Sequence, residues 1–191
     1  MEILTGIFSA FGLSASAGLN AYIPLLTLAL LAKYTDLIKL NAPWDTLTSW
    51  WVIGLLAFLL LIEIFADKVP AVNHVNDILQ TFVRPVAGAI AFAASAGVVS
   101  DVHPVLAMAA GLLVAGGVHT VKSAAVRPAV TLTTGGAGNV PVSILEDIVS
   151  TVVSFLSIVI PIIIGLIIAT LLSVVIWWLW RRSNRTRQTA G

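Results

Sequence analysis

The sequence predicts an all-α membrane protein: a polytopic helical bundle of five or six spans, with a broken first helix and re-entrant segments. Three observations predict it. Of 191 residues, 59% are hydrophobic and 10% charged, whereas soluble domains run at about 45–50% and about 25%. The mean hydropathy is +1.03. The apolar residues also fall into runs, several of them near the roughly 20 residues that cross a hydrocarbon core about 30 Å thick. One transmembrane domain is expected over residues 1–180, followed by a basic, disordered cytoplasmic tail over 181–191. Cysteine is absent, which removes disulfides and sulfur ligands.

The first run, Ile7 to Ala32, opens with small residues. Ala10, Ser14 and Gly18 recur every four, as do Gly12 and Ser16, a spacing that suits close packing of helices in lipid. Pro24 lacks an N–H and crowds the carbonyl of Asn20, so the helix should kink or break between them. Two readings follow: a kinked helix whose Asn20 bonds a neighbour, and a discontinuous helix that lines a binding site. The loop from Lys33 to Ser49 carries mixed charge, and Trp44, Trp50 and Trp51 read as headgroup anchors. The second run, Trp50 to Ala66, ends on Glu63, Asp67 and Lys68, with both acids on one helix face and Pro70 to stop it. Val72 to Val83 has helical periodicity but too many polar residues to span. It reads as an interfacial or re-entrant helix.

Pro85 then opens the third run, ending at Val99, where a first helical position would cost no hydrogen bond. Val105 to Val118 is the fourth run, rich in Ala and Gly. The last run, Ile148 to Trp180, has no charge, and as one straight helix would measure about 50 Å. We expect a single helix kinked at Pro161, because no turn sequence separates two arms; a hairpin is the alternative. Trp177, Trp178 and Trp180 mark its far interface.

Arg181, Arg182, Arg185 and Arg187 lead us to expect the C-terminus on the cytoplasmic side. Five spans would then leave Lys33 and Lys39 inside, but Lys68, Arg84, Lys122 and Arg127 outside, against the positive-inside tendency. Re-entrant positions for those four would remove the conflict. The steps Arg84-Pro85 and Arg127-Pro128, preceded by Lys68 and Lys122, also suggest a thin internal repeat of the inverted kind that builds midplane sites.

The chemistry concentrates between Gly116 and Asp147. If a helix runs to Pro128, His119, Ser123 and Arg127 recur every four, with Lys122 on the adjacent flank, which makes a basic stripe. Gly135, Gly136 and Gly138, with Asn139 after them, let the backbone turn and present N–H groups to an anion. No Gly-Lys-Ser/Thr follows, so this is not a nucleotide phosphate loop. Snorkelling of Lys122 and Arg127 to anionic lipid is the plain alternative.

The acids Glu63, Asp67, Asp77, Glu146 and Asp147 are costly near membrane depth. They suit cation coupling or proton relay, and equally suit structural pairs with Lys68, Arg84, Lys122 and Arg127. Ser143 three residues before Glu146 fits a capping box, which would give Glu146 a structural role. The histidines show no ligand spacing, so neither metal nor cofactor is expected, and no nucleophile–base set points to an enzyme. Nucleic acid is not an expected partner.

The segments Ser16–Ala32, Glu63–Asp77, Thr81–Ala93, His119–Pro128 and Thr133–Asp147 resemble a family of small bacterial membrane proteins catalogued as domain of unknown function 4126. The resemblance covers about Gly6 to Leu172 and implies an integral inner-membrane protein, with no catalytic role to carry over. Its recurring polar positions match Asn20, Glu63, Asp67, Lys68, Asp77, Arg84, His119, Lys122, Gly135, Gly136, Gly138, Asn139, Glu146 and Asp147.

The leading expectation is transport or permeation of a small polar or anionic solute. Asn20, His119, Lys122, Arg127 and the glycine loop would bind it, and Glu63, Asp67, Lys68, Asp77, Arg84, Glu146 and Asp147 would couple or gate. The alternatives are binding or flipping of an anionic lipid head group, and a non-transport scaffold. The bilayer is the expected partner, and small-residue faces leave a homodimer open.

Overall fold

The computed structural model describes residues 2–66, 70–96 and 102–188, and every element in it is helical. In order they are α1 (Glu2–Leu19), α2 (Tyr22–Tyr34), a 3-10 turn (Trp44–Thr48), α3 (Trp50–Ala66), α4 (Pro70–Ala96), α5 (Pro104–Val121), a π-helical turn (Lys122–Val126), α6 (Arg127–Thr134), α7 (Asn139–Val159) and α8 (Pro161–Gln188). Three helical stretches are long and apolar enough to cross a membrane: Ile78–Ala96, Pro104–Thr134 and Asn139–Val159. Large side chains such as Leu55, Phe58, Phe65, Phe82 and Leu113 face outward, a surface that suits lipid and not water. The protein is thus an all-α, multi-pass membrane protein.

The small residues of α1 explain why it sits at the centre, packed on α4, α5, α7 and α8. On one face Ser14 Oγ donates to the Gly111 carbonyl at 2.7 Å, and a Cβ on Gly18 would lie 2.6 Å from the Ala115 carbonyl oxygen. On the other, Ser9 donates to the Ser157 carbonyl at 2.6 Å, and the Ser16 hydroxyl meets those of Ser150 and Ser154 at 2.7 and 2.6 Å. These faces are consumed by packing inside one chain.

Asn20 breaks the first run, as Pro24 leads one to expect, but the chain doubles back instead of continuing. Asp36, Leu37, Ile38 and Lys39, just after α2, line one pocket with Thr5, Gly6 and Ser9 of α1. The tip, Asn20 and Ala21, is buried. Pro24 then falls in the first turn of α2, where its missing N–H has no intrahelical partner to lose.

Three expectations are corrected. Val72–Val83 is not a separate segment and Pro85 does not open a helix: α4 runs unbroken from Pro70 to Ala96 with Pro85 inside it. The Pro85 ring packs beside Gly116 of α5, at a spacing where even an added Cβ would lie 3.7 Å from it. Residues 148–180 are a hairpin, not one kinked helix. Leu145 and Val149 of α7 line the same cleft as Leu172 and Val175 of α8, whereas Val149 and Leu172 would be about 35 Å apart on a continuous helix. The reversal needs only Ile160, at φ −133 and ψ 62, because a residue before proline is pushed out of the helical region. Finally, Ser143 is no N-cap. It lies buried within α7, which begins at Asn139, and Pro141 is tolerated in that helix's first turn.

Thr5, Ser9, Ser95, Ile158 and Pro161 mark one end of the bundle, where the α1–α2 hairpin opens and α7 turns into α8. From Ser95 to Arg84 is about 16 Å along α4, whose full length is about 40 Å. Arg84 therefore sits near mid-depth, and the buried charged side chains gather around it.

Candidate functional site

The reversal at Asn20 leaves two helix ends facing each other inside the protein. Asn20 Oδ1 accepts from the N–H groups of Tyr22 and Ile23, both at 3.1 Å, and so caps α2 from its side. Its Nδ2 donates to Asp147 Oδ1 of α7 at 2.9 Å. The Leu19 carbonyl, at the negative end of α1, accepts from Lys122 Nζ at 3.0 Å. The same ammonium lies 2.7 Å from Glu146 Oε2, and Arg127 Nη2 approaches that oxygen at 3.5 Å.

The π turn makes this convergence feasible. On a regular α-helix, residues 122 and 127 would point about 140° apart. The extra residue per turn, sealed by the Arg127 N–H bond to the Lys122 carbonyl, swings both cations toward Glu146. Such turns are frequent at functional sites.

A second set lies alongside. Arg84 Nη2 donates to Glu63 Oε1 at 2.9 Å, and the two side chains are 0% and 1% exposed. Arg84 Nη1 is 3.3 Å from His119 Nδ1, and His119 Nε2 is 3.2 Å from Thr81 Oγ1. A guanidinium only donates, so Nδ1 accepts and Nε2 carries the proton offered to Thr81. His119, near the end of α5, precedes Lys122 of the π turn by three residues, which places the two sets side by side.

Beside Lys122 and Glu146 runs a cleft of about 380 Å³ between α5, the π turn, α7 and α8. Apart from that ion pair its walls are apolar: Leu19, Val118, Val121, Val142, Leu145 and Val175 among them. Val121, Leu145 and Val175 remain 57%, 58% and 47% exposed, so the cleft opens sideways through the flank of the bundle.

Of the residues singled out by sequence, Asn20, Glu63, Arg84, His119, Lys122, Arg127, Glu146 and Asp147 come together. The glycine loop does not join them. Gly135, Gly136, Gly138 and Asn139 follow α6, one helix of about 12 Å beyond Arg127. Their turn is closed on itself: Gly135 caps α6 at φ 62, Gly138 N–H donates to Thr134 Oγ1 at 2.9 Å, and Asn139 N–H to the Gly136 carbonyl at 3.2 Å. Those N–H groups are spent within the turn. Asp67 and Lys68 lie outside the described residues, and Asp77 belongs to α4 with its side chain outside the described set. Among the described residues no group of three or more His, Cys, Asp or Glu could hold a metal ion.

Residues 7–182 match the family described as Domain of unknown function (DUF4126). The chain belongs to this family. No curated protein and no solved structure matches it. The match spans α2 through α7 and most of α1 and α8, so the whole mid-depth cluster lies in the family's domain.

Sequence reasoning missed three participants. The Leu19 carbonyl becomes available only because the helix stops there. Thr81 gives no signal in the sequence. The buried serines of α7, Ser143, Ser150, Ser154 and Ser157, were legible: they recur at helical spacing in a run otherwise apolar, which is how a polar seam facing another helix looks.

Proposed function

We propose that the protein binds an amphiphile with an anionic head, of the phospholipid class, and passes it between the faces of the inner membrane. This is the lipid-handling reading among those drawn from the sequence. One observation carries it: a sideways-opening apolar cleft has Lys122 and Glu146 in its lining, their charged ends buried behind its wall, with Arg127 bound to the same carboxylate. Acyl chains suit the walls, and the cations suit the head. A small polar solute is supported less by an apolar cleft, although the meeting of two helix ends at a buried Asn20 is the kind of feature that builds solute sites. Ion pairs alone would suit a scaffold, but a scaffold does not call for a cleft that reaches them.

The membrane arrangement in this proposal has five full spans, α3, α4, α5 with α6, α7 and α8, and the α1–α2 hairpin as a re-entrant element. Both ends of that hairpin then lie on one face and the end of α8 on the other. Arg181, Arg182, Arg185 and Arg187 oppose Lys33 and Lys39, and a cytoplasmic C-terminus satisfies the positive-inside tendency. Arg84, Lys122 and Arg127 lie buried between the faces and have no vote.

The test is lipid retention and movement by the full-length protein. Native mass spectrometry should show preferential retention of phosphatidylglycerol over phosphatidylcholine, and Lys122→Gln should abolish that preference. Reconstituted vesicles carrying fluorescent phosphatidylglycerol should scramble it faster than protein-free vesicles. Equal retention of both lipids by the unaltered protein would defeat the proposal.

A further inference from the structure

We infer that Glu146 is an internal stand-in for the head group: its carboxylate occupies the anion position of the cleft and must leave when the ligand's anionic oxygens enter. This rests on the reading of the cleft as an anionic-amphiphile site. Glu146 Oε2 takes both cations at once, Lys122 Nζ at 2.7 Å and Arg127 Nη2 at 3.5 Å. A phosphodiester or carboxylate head presents the same kind of oxygen to the same donors. Lys122 and Glu146 both line the cleft, with their charged ends buried just behind its wall, so a ligand whose tail follows the walls brings its head against the place that Glu146 now fills.

The surroundings favour exchange over simple addition. Two carboxylate-like groups on one oxygen-binding position repel strongly at low dielectric, and Asp147 already stands next along α7, held by Asn20 Nδ2. Lys122 keeps a partner throughout, because the Leu19 carbonyl holds it from the other side at 3.0 Å. The cation therefore stays in place while the anion changes. On this inference Glu146 sets the affinity: it holds the site closed to neutral lipid and yields only to an anion. Such an arrangement favours release as well as entry, which a passage site requires.

The experiment uses the full-length protein in dodecyl maltoside, a neutral detergent, with dodecyl phosphate as probe and dodecanol as neutral control. Binding is read by isothermal titration and by the thermal unfolding midpoint. Glu146→Gln keeps the shape but removes the competing charge. It should bind dodecyl phosphate about tenfold more tightly than the unaltered protein, the scale of one charge-assisted hydrogen bond. Dodecyl phosphate should also raise its unfolding midpoint further, and dodecanol should do neither.

If the unaltered protein binds dodecyl phosphate no better than dodecanol, the lipid reading itself fails. If it binds dodecyl phosphate selectively and Glu146→Gln binds it equally or more weakly, the lipid reading stands and the stand-in role of Glu146 is overturned. Should Glu146→Gln emerge aggregated from size exclusion, dodecyl phosphate and not dodecanol should restore the monodisperse peak. Failure of that rescue also overturns the inference.

Discussion

Arg84→Met should destabilise the protein by about 3–5 kcal/mol, the cost of removing one partner from a buried ion pair. The structure sets that scale. Arg84 and Glu63 are 0% and 1% exposed and 2.9 Å apart, so the variant removes a cation from a carboxylate that is itself buried. The contact from Arg84 to His119 Nδ1 at 3.3 Å goes too, which adds about 0.5–1.5 kcal/mol. The pair as a whole need not be stabilising, because bringing both charges out of water costs several kcal/mol per ion. Glu63→Leu/Arg84→Met should therefore recover most of the loss and behave within about 1 kcal/mol of the unaltered protein. The assay is reversible unfolding in mixed micelles on increasing SDS, followed by circular dichroism. A loss below about 1 kcal/mol for Arg84→Met, or a double variant as unstable as the single one, would refute the reasoning that a buried carboxylate deprived of its guanidinium is what the site cannot tolerate.

The same unfolding assay checks two further expectations. Gly88→Ala would place a Cβ 2.2 Å from that of Ala115 and 2.9 Å from Ser14 Oγ, and should cost at least about 1–3 kcal/mol by overpacking. Gly116→Ala, whose nearest neighbour would be 3.7 Å away, should stay within about 0.5 kcal/mol. Asn20→Ala removes the α2 cap, about 0.5–2 kcal/mol, and the donor to Asp147. Asn20→Asp should be worse than Asn20→Ala, because it sets a second carboxylate where an amide now meets Asp147 at 2.9 Å.

Composition and run length were enough to read the class, because a bilayer solvent leaves few other uses for so apolar a chain. The reversals were harder. A proline ordinarily advertises a break, yet Pro85 sits inside a continuous α4, while Pro24 and Pro161 lie just beyond points where the chain turns back. What separates these cases is the partner surface: α4 packs along α5 on both sides of Pro85, whereas Asn20 and Ile160 lie where the following helix finds its contacts only by folding back. That choice is tertiary, and no local pattern encodes it. At the site, the cost of a charge in apolar surroundings singled out most of the cluster. Pairing was beyond reach, since Glu63 meets Arg84 and Glu146 meets Lys122 only once the helices are placed. The glycine loop shows a related limit: glycine signals a tight turn, and within it the Thr134 and Gly136 oxygens take the N–H groups of Gly138 and Asn139.

The interruptions of the helices and the charges of the cluster are two sides of one requirement. In an apolar interior an unpaired backbone group and an unpaired ion each cost several kcal/mol. Each can satisfy the other. The break after Leu19 strands a carbonyl, and Lys122 takes it; it strands the N–H groups of Tyr22 and Ile23, and Asn20 takes those while its amide steadies Asp147. The π turn places Lys122 and Arg127 on one carboxylate. Pro85, next to Arg84, leaves the Thr81 carbonyl without its helical donor, at the level where Thr81 meets His119. A straight helix through Asn20 would have no carbonyl to offer Lys122, and an apolar side chain at 122 would leave the end of α1 bare. Break and charge must therefore be kept or lost together, and their shared depth, next to the sideways cleft, is what makes this level the place to look for a ligand.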